Sequence, residues 1–170
     1  MQFFNLNENT FLITWNQNLD SNLTNLLTSY RNIIISICGD DIQDCVQSIK
    51  SLLVITHNNG SSIKEIIEKI KMIDPKKINI KNKKIKVWKI PICYDLEFAP
   101  DIKAVSDLNN ISIQDLIEIH LSKTYDVLSM GFLPGFMYLG KTDNRIHCER
   151  KVKPSLKIKK GSIGLALNQT

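Results

Sequence analysis

The chain has 170 residues and a mass of 19.4 kDa, enough for one domain of ordinary size or two small ones. Its 43% hydrophobic and 23% charged residues exclude a disordered or collagen-like chain. The net charge of +5 is almost wholly lysine, the only arginines being Arg31, Arg145 and Arg150. That speaks against a nucleic-acid reader, which uses arginine where bidentate contacts are needed.

The longest apolar runs, Ile33–Ile35 and Leu52–Ile55, fall far short of the roughly 20 residues of a membrane helix, so no membrane partner is expected. Met1–Thr10 has neither a basic segment nor a small-residue cleavage site, which predicts a cytoplasmic protein. Cys38, Cys45, Cys93 and Cys148 make no C-x-x-C pair, and His57, His120 and His147 are scattered. Reduced cysteines and no metal site are expected.

Phe11–Trp15 is a short apolar strand bounded by asparagines, and Asp20 can cap a helix starting just after it. Leu19, Leu23, Leu26, Leu27, Tyr30, Ile33, Ile34 and Ile37 then recur at three- and four-residue spacing up to Gly39, which predicts a long amphipathic helix. Ile42–Ser48 and Leu52–Thr56 read as strands, and His57–Gly60 as a turn. Ser62 and Glu65 form a capping box for a second helix. Its stripe is Ile63, Ile66, Ile67, Ile70 and Ile73, and Asp74-Pro75 stops it. The basic run Lys76–Lys89 alternates with Ile78, Ile80, Ile85 and Val87, which reads as a solvated lysine face, and Lys84–Ile92 is expected to be the closing strand. This order, βαββαβ, is the ferredoxin-like arrangement of two helices over one face of a four-stranded antiparallel sheet. The expected class is α+β, with a first domain over residues 1–90 and a boundary at Pro91.

Beyond the boundary, Pro100–Leu108 suggests a short helix. Ser112 and Asp115 cap another, with the stripe Ile113, Leu116, Ile117, His120 and Leu121. His120 therefore faces the interior, either as a satisfied core histidine or as an acid, base or hydrogen-bond partner of the segment after it. That segment, Tyr125–Met130 running into Gly131–Gly140, carries Phe132, Phe136 and Tyr138 around Pro134-Gly135, which fits the central positions of a type II turn. Such aromatics form a core hairpin, line a pocket or meet another chain. Arg150, Lys151 and Lys153 form either a solvated basic face or an anion contact.

Tyr125-Asp126-Val127 leading into Gly131-Phe132-Leu133-Pro134-Gly135-Phe136-Met137-Tyr138-Leu139-Gly140, with His120 upstream, resembles a family signature. Cys148-Glu149-Arg150-Lys151 and Gly161-Ser162-Ile163-Gly164 come next in the expected order, and weaker likeness extends through Asp44–Ser48 and Ser51–Val54. The family is that of the 5-oxoprolinase B subunit, allophanate hydrolase subunit 1 and the histidine-kinase inhibitor of sporulation. The resemblance implies a ferredoxin-like domain followed, over residues 91–170, by the start of a cyclophilin-like β-barrel. It implies opening of 5-oxo-L-proline to L-glutamate at the expense of ATP, shared with partner subunits. On that basis His120 and Arg150 are the catalytic candidates. Tyr125, Gly131, Phe132, Pro134, Gly135, Phe136 and Tyr138 form the substrate- or partner-binding loop.

The same resemblance implies two other roles: inhibition of a sensor histidine kinase by protein binding, and an accessory part in allophanate or urea breakdown. Where the family shows Pro-Arg twice and then Val-Pro, this chain has Glu149-Arg150, Pro154-Ser155 and Ile158-Lys159. The family also continues through a Tyr-Pro and a Pro-Gly-Gly-Trp segment that completes the barrel, so a truncated barrel is expected.

Overall fold

The computed structural model describes residues 1–17, 20–57, 61–78, 86–153, 155, 157–167 and 169–170. Leu19, the turn at Asn58–Gly60, Lys84 and Ile85 of the expected closing strand, and Pro154 lie outside the described residues. The chain divides into two compact units, one of residues 1–83 with 128–137, the other of residues 84–127 with 138–170.

In the first unit, β1 (Gln2–Asn7) and β2 (Thr10–Thr14) form a hairpin. At its turn the Asn7 carboxamide oxygen accepts from the Asn9 amide at 3.0 Å, the local bond that makes asparagine a turn residue. β3 (Ile42–Gln47) and β4 (Ser51–Thr56) complete an antiparallel sheet of order β1-β2-β4-β3. Along the inner strands the side chains alternate: Phe11, Ile13, Leu52 and Val54 are fully buried, while Leu12 and Leu53 between them point to the other face.

Two helices cover the buried face. α1 (Ser21–Cys38) is capped as expected, the Asp20 carboxylate accepting from the Leu23 amide at 2.8 Å, and it ends at Gly39 with φ +48°. α2 (Ile63–Lys71) has the full Ser62/Glu65 capping box. Leu27 and Ile34 of α1 and Ile66 and Ile70 of α2 are fully buried in one cluster with the strand residues. The period-3.6 and period-2 patterns therefore meet in a single core.

One element departs from the expectation. Residues 86–92 form no strand, and Val87, Trp88 and Ile90 are exposed. The place beside β2 is held instead by β1, which pairs from Gln2↔Thr14 to Asn7↔Thr10. A hairpin closed by a two-residue turn reaches that ladder at far less loop-closure entropy than a segment some seventy residues downstream.

In the second unit, α3 (Ile102–Leu108) and α4 (Ile113–Leu121) pack Ile102, Leu116 and Ile119 around Ile146, which sits in a 3₁₀ turn at Asn144–Ile146. The short strands β5 (Val127–Met130) and β6 (Met137–Leu139) pair as a hairpin. The remaining strand-like pairing among the described residues is the bridges Cys148↔Leu167 and Ala166↔Gln169. The structure is thus α+β. Among the described residues no helix is long and apolar enough to cross a membrane.

Candidate functional site

The chemistry-bearing part of the second unit is built on α4. Ser112 Oγ accepts from the Asp115 amide at 3.0 Å, and the Asp115 carboxylate accepts in return from the Ser112 amide at 3.3 Å. This box fixes the start of the helix and hence the phase of its stripe. Leu116, Ile119 and His120 fall on the buried side, and His120 is only 5% exposed.

Three side chains close around the imidazole. The Tyr94 hydroxyl lies 2.6 Å from Nδ1, the Thr170 hydroxyl lies 3.3 Å from Nε2, and the Tyr125 hydroxyl donates to the His120 carbonyl at 2.9 Å. Tyr94 meets the ring edge-on at 6.0 Å, and Tyr125 packs on it with centroids 5.4 Å apart. The Thr170 carbonyl also accepts from the Leu139 amide at 2.9 Å, which ties this partner of the imidazole to β6.

Burial lowers the His120 pKa, since the imidazolium would lose its hydration there. The last turn of a helix favours a cation, but desolvation wins at this depth. Burial likewise raises Tyr94, and it raises Tyr125, with further contributions from the repulsion between the two phenolates were both to ionise and from the negative charge of Asp143. The cluster is therefore neutral. One ring nitrogen of His120 donates and the other accepts, between two hydroxyls that can each do either, so a proton can pass between Tyr94 and Thr170 through the imidazole without a charged resting state.

Tyr125 also borders an ion pair. Asp143 accepts from Arg145 Nε at 3.0 Å and from its terminal nitrogen at 3.0 Å, and the guanidinium holds its carboxyl at about 2. Arg150 lies apart from this cluster: it is exposed, with no hydrogen bond or ion pair among the described residues. Its neighbour Lys151 is committed to Asp101 at 2.7 Å. His120 and Tyr125 are thus brought together, while no contact joins Arg150 to them. Among the described residues no three His, Cys, Asp or Glu side chains converge as metal ligands.

The glycine-rich loop has the geometry its residues require. The Phe136 amide donates to the Leu133 carbonyl at 3.0 Å across Pro134-Gly135, and Gly135 has φ +80°, the value for the third position of a type II turn. Immediately before it, the Leu133 amide donates to the Gly131 carbonyl at 2.8 Å across Phe132, whose φ is +68°. This is a γ-turn in its rare, strained form. The Gly131 amide donates to the Phe136 carbonyl at 3.1 Å and closes the hairpin. Phe132 is 82% exposed and meets Phe136 edge-on at 5.7 Å. An inward-packed hairpin is not what forms at Phe132. Tyr138 is half-buried on β6, and Gly140 donates to the Asp126 carbonyl at 2.8 Å.

The family described as the carboxyltransferase domain, subdomain C and D, matches residues 1–170, the whole chain. The chain belongs to that family. Among curated relatives, it is similar to the 5-oxoprolinase B subunit of Bacillus subtilis (strain 168), 41% identical over 85 residues. It is also similar to the 5-oxoprolinase B subunit of Escherichia coli O157:H7, 36% identical over 81 residues. Those alignments take in 50% and 48% of this chain, and 35% and 37% of the relatives, so the match spans about a third of their length. Among solved structures, that of TTHA0988 superposes with a TM-score of 0.75 over 94% of this chain and 31% of its own, at 18% identity, a likeness of fold.

Sequence reasoning placed His120 and Tyr125 but not Tyr94 or Thr170. Cys93-Tyr94-Asp95 carries no motif, and Thr170 lies 50 residues from His120, so no local pattern signals either partner.

Proposed function

We propose that the chain is part of the B subunit of an ATP-dependent 5-oxoprolinase, a cytoplasmic assembly that opens 5-oxo-L-proline to L-glutamate together with partner subunits. The observation that carries the reading is the 41% identity to the Bacillus subtilis protein over half of this chain, inside a family match over all of it. On this reading the first unit is the ferredoxin-like part, with two helices over one face of an antiparallel sheet, and residues 91–170 open a cyclophilin-like barrel.

The chemical task is to make an unreactive lactam hydrolysable. Phosphorylating the lactam oxygen turns it into a leaving group, and the developing charge calls for a cation or backbone amides at the phosphoryl oxygens. Arg150, exposed and uncommitted among the described residues, is the candidate cation. No step through ATP is assigned to this chain. His120, held neutral between Tyr94 and Thr170, is the candidate for moving a proton during ring opening. The loop from Gly131 to Phe136, with Tyr125 and Tyr138, is the candidate contact for substrate or partner.

The test is 5-oxoproline-dependent ADP release by the chain mixed with its partner subunits. Release is expected only when all subunits are present, and Arg150→Ala and His120→Asn should each lower it at least tenfold in a folded chain. Release that proceeds undiminished when this chain is omitted would sink the reading.

A further inference from the structure

The two edges of the four-stranded sheet are treated differently by the sequence. On β3 the outward backbone is already occupied: Arg31 Nε from α1 donates to the Cys45 carbonyl at 2.6 Å, and the Cys45 amide donates to the Asp44 carboxylate at 2.7 Å. That edge is closed to another strand.

On β1, among the described residues, no side chain is hydrogen-bonded to the outward backbone, and α2 brings the charge of Lys71 over the Phe3 ring at 5.9 Å. Among the described residues β1 pairs with β2 alone, and Gln2–Asn7 contains no lysine, no proline and no charge. Its one irregularity lies between Asn5 and Asn7 at the hairpin end, leaving Gln2–Asn5 in regular register with Thr14–Phe11. An edge free of these guarding devices is a template for one more strand.

The side chains say which strand fits. On the face away from the helices the register aligns Val46 with Leu53, Leu53 with Leu12, and Leu12 with Phe4, an apolar row across all four strands. The row runs off the sheet at Phe4, 48% exposed, beside Leu6 at 57%.

We propose that β1 pairs antiparallel with β1 of a second copy of this chain, about a two-fold axis normal to the sheet at Phe4. That register sets Phe4 against Phe4 and Phe3 against Asn5 within the regular stretch Gln2–Asn5, and paired residues share one face as the pleat requires. The apolar row then continues through eight strands. Because the strand is uncharged, two chains of net charge +5 bring no like charges into direct opposition along it. A six-residue strand buries less than the roughly 800 Å² per partner of a standard interface, so the dimer is weak and concentration-dependent.

The experiment is sedimentation of the full chain between about 5 and 500 µM, the range in which an interface below standard size associates. The wild type is expected to pass from monomer to dimer, and Phe4→Lys to shift that transition at least tenfold upward in concentration with an unchanged thermal melt. In a Cys93→Ser background, which removes the exposed native thiol, Phe4→Cys is expected to yield a covalent dimer on mild oxidation. A wild type that stays monomeric throughout, a dimer indifferent to Phe4→Lys, or a Phe4→Cys chain that does not cross-link would each overturn the proposal. So would a monomer whose association with 5-oxoprolinase partner subunits is lost on Phe4→Lys, which would give the edge to a foreign strand.

Discussion

Replacing Gly135 isolates a single physical term. An added Cβ meets no atom within 4 Å, so steric clash contributes nothing, and the penalty comes from holding an L-residue at φ +80°. That region costs a non-glycine residue about 1–2 kcal/mol, and a β-branched one more, up to about 3 kcal/mol. The expected loss is therefore about 1–2 kcal/mol for Gly135→Ala and about 2–3 kcal/mol for Gly135→Val, or about 2–4 °C of melting temperature per kcal/mol in a chain of this size. Gly131 supplies the control, since a Cβ added there also meets open space but at no positive φ. Gly131→Ala should leave the melt within about 0.5 kcal/mol of wild type. Thermal melts of the three variants decide it. Equal melting temperatures for Gly135→Val and Gly131→Ala would refute the turn and the strain argument together.

The His120 pKa is lowered in the fold, so the unfolded chain takes up a proton more readily as the pH falls through about 6.5. Stability should be full above that value and decline below it until the buried imidazole also charges; denaturant titrations should show this slope, and His120→Gln should flatten it. A second decline, as pH falls from about 3.8 toward about 2, belongs to Asp41 and Asp143, whose partners Lys69 and Arg145 hold their carboxyls near about 2, and it should persist in the His120 variant. Leu27→Ala in the first core should cost about 2–5 kcal/mol in urea unfolding, because the residue is fully buried between α1 and the sheet. A loss below about 1 kcal/mol would mean that the core had collapsed around the missing side chain.

What could be read from the chain depends on the range of the force concerned. The three longer helices were legible because their signals are local: Asp20, Ser62 and Ser112 bond amides three residues on, and the stripes they set in phase are largely buried, although Ile37 of α1 and Leu121 of α4 are exposed and Ile119, outside the expected stripe, is buried. The type II turn was legible for the same reason, since Pro134 and Gly135 each fix their own φ. Strands are different, because a strand exists only where a neighbour offers a ladder. Lys84–Ile92 alternates as well as β1 does, yet residues 86–92 form no strand, and the place beside β2 went to a hairpin whose Phe4 and Leu6 are nearly hidden among asparagines.

The same distinction governs the candidate site. The stripe of α4 sends His120 inward, which any reading of period 3.6 finds. The proposed proton-carrying role rests on both ring nitrogens facing hydroxyls, from Tyr94 and Thr170, 26 and 50 residues away. Burial alone would leave an imidazole with unpaired nitrogens, at a cost of about 1–3 kcal/mol for each group left unsatisfied. The fold meets that demand with two groups that can each give or take a proton, where a carboxylate would have fixed the imidazole as a cation. That choice keeps the ring neutral and exchangeable at ordinary pH, the property a proton carrier needs and a purely structural histidine does not. Tyr94→Phe separates the two roles: it removes the proton path and keeps the ring packing. If His120 only fills space, 5-oxoproline-dependent ADP release should survive that change within about twofold. If the relay operates, release should fall at least tenfold while the melting temperature moves by no more than the loss of one hydrogen bond, about 1 kcal/mol, allows.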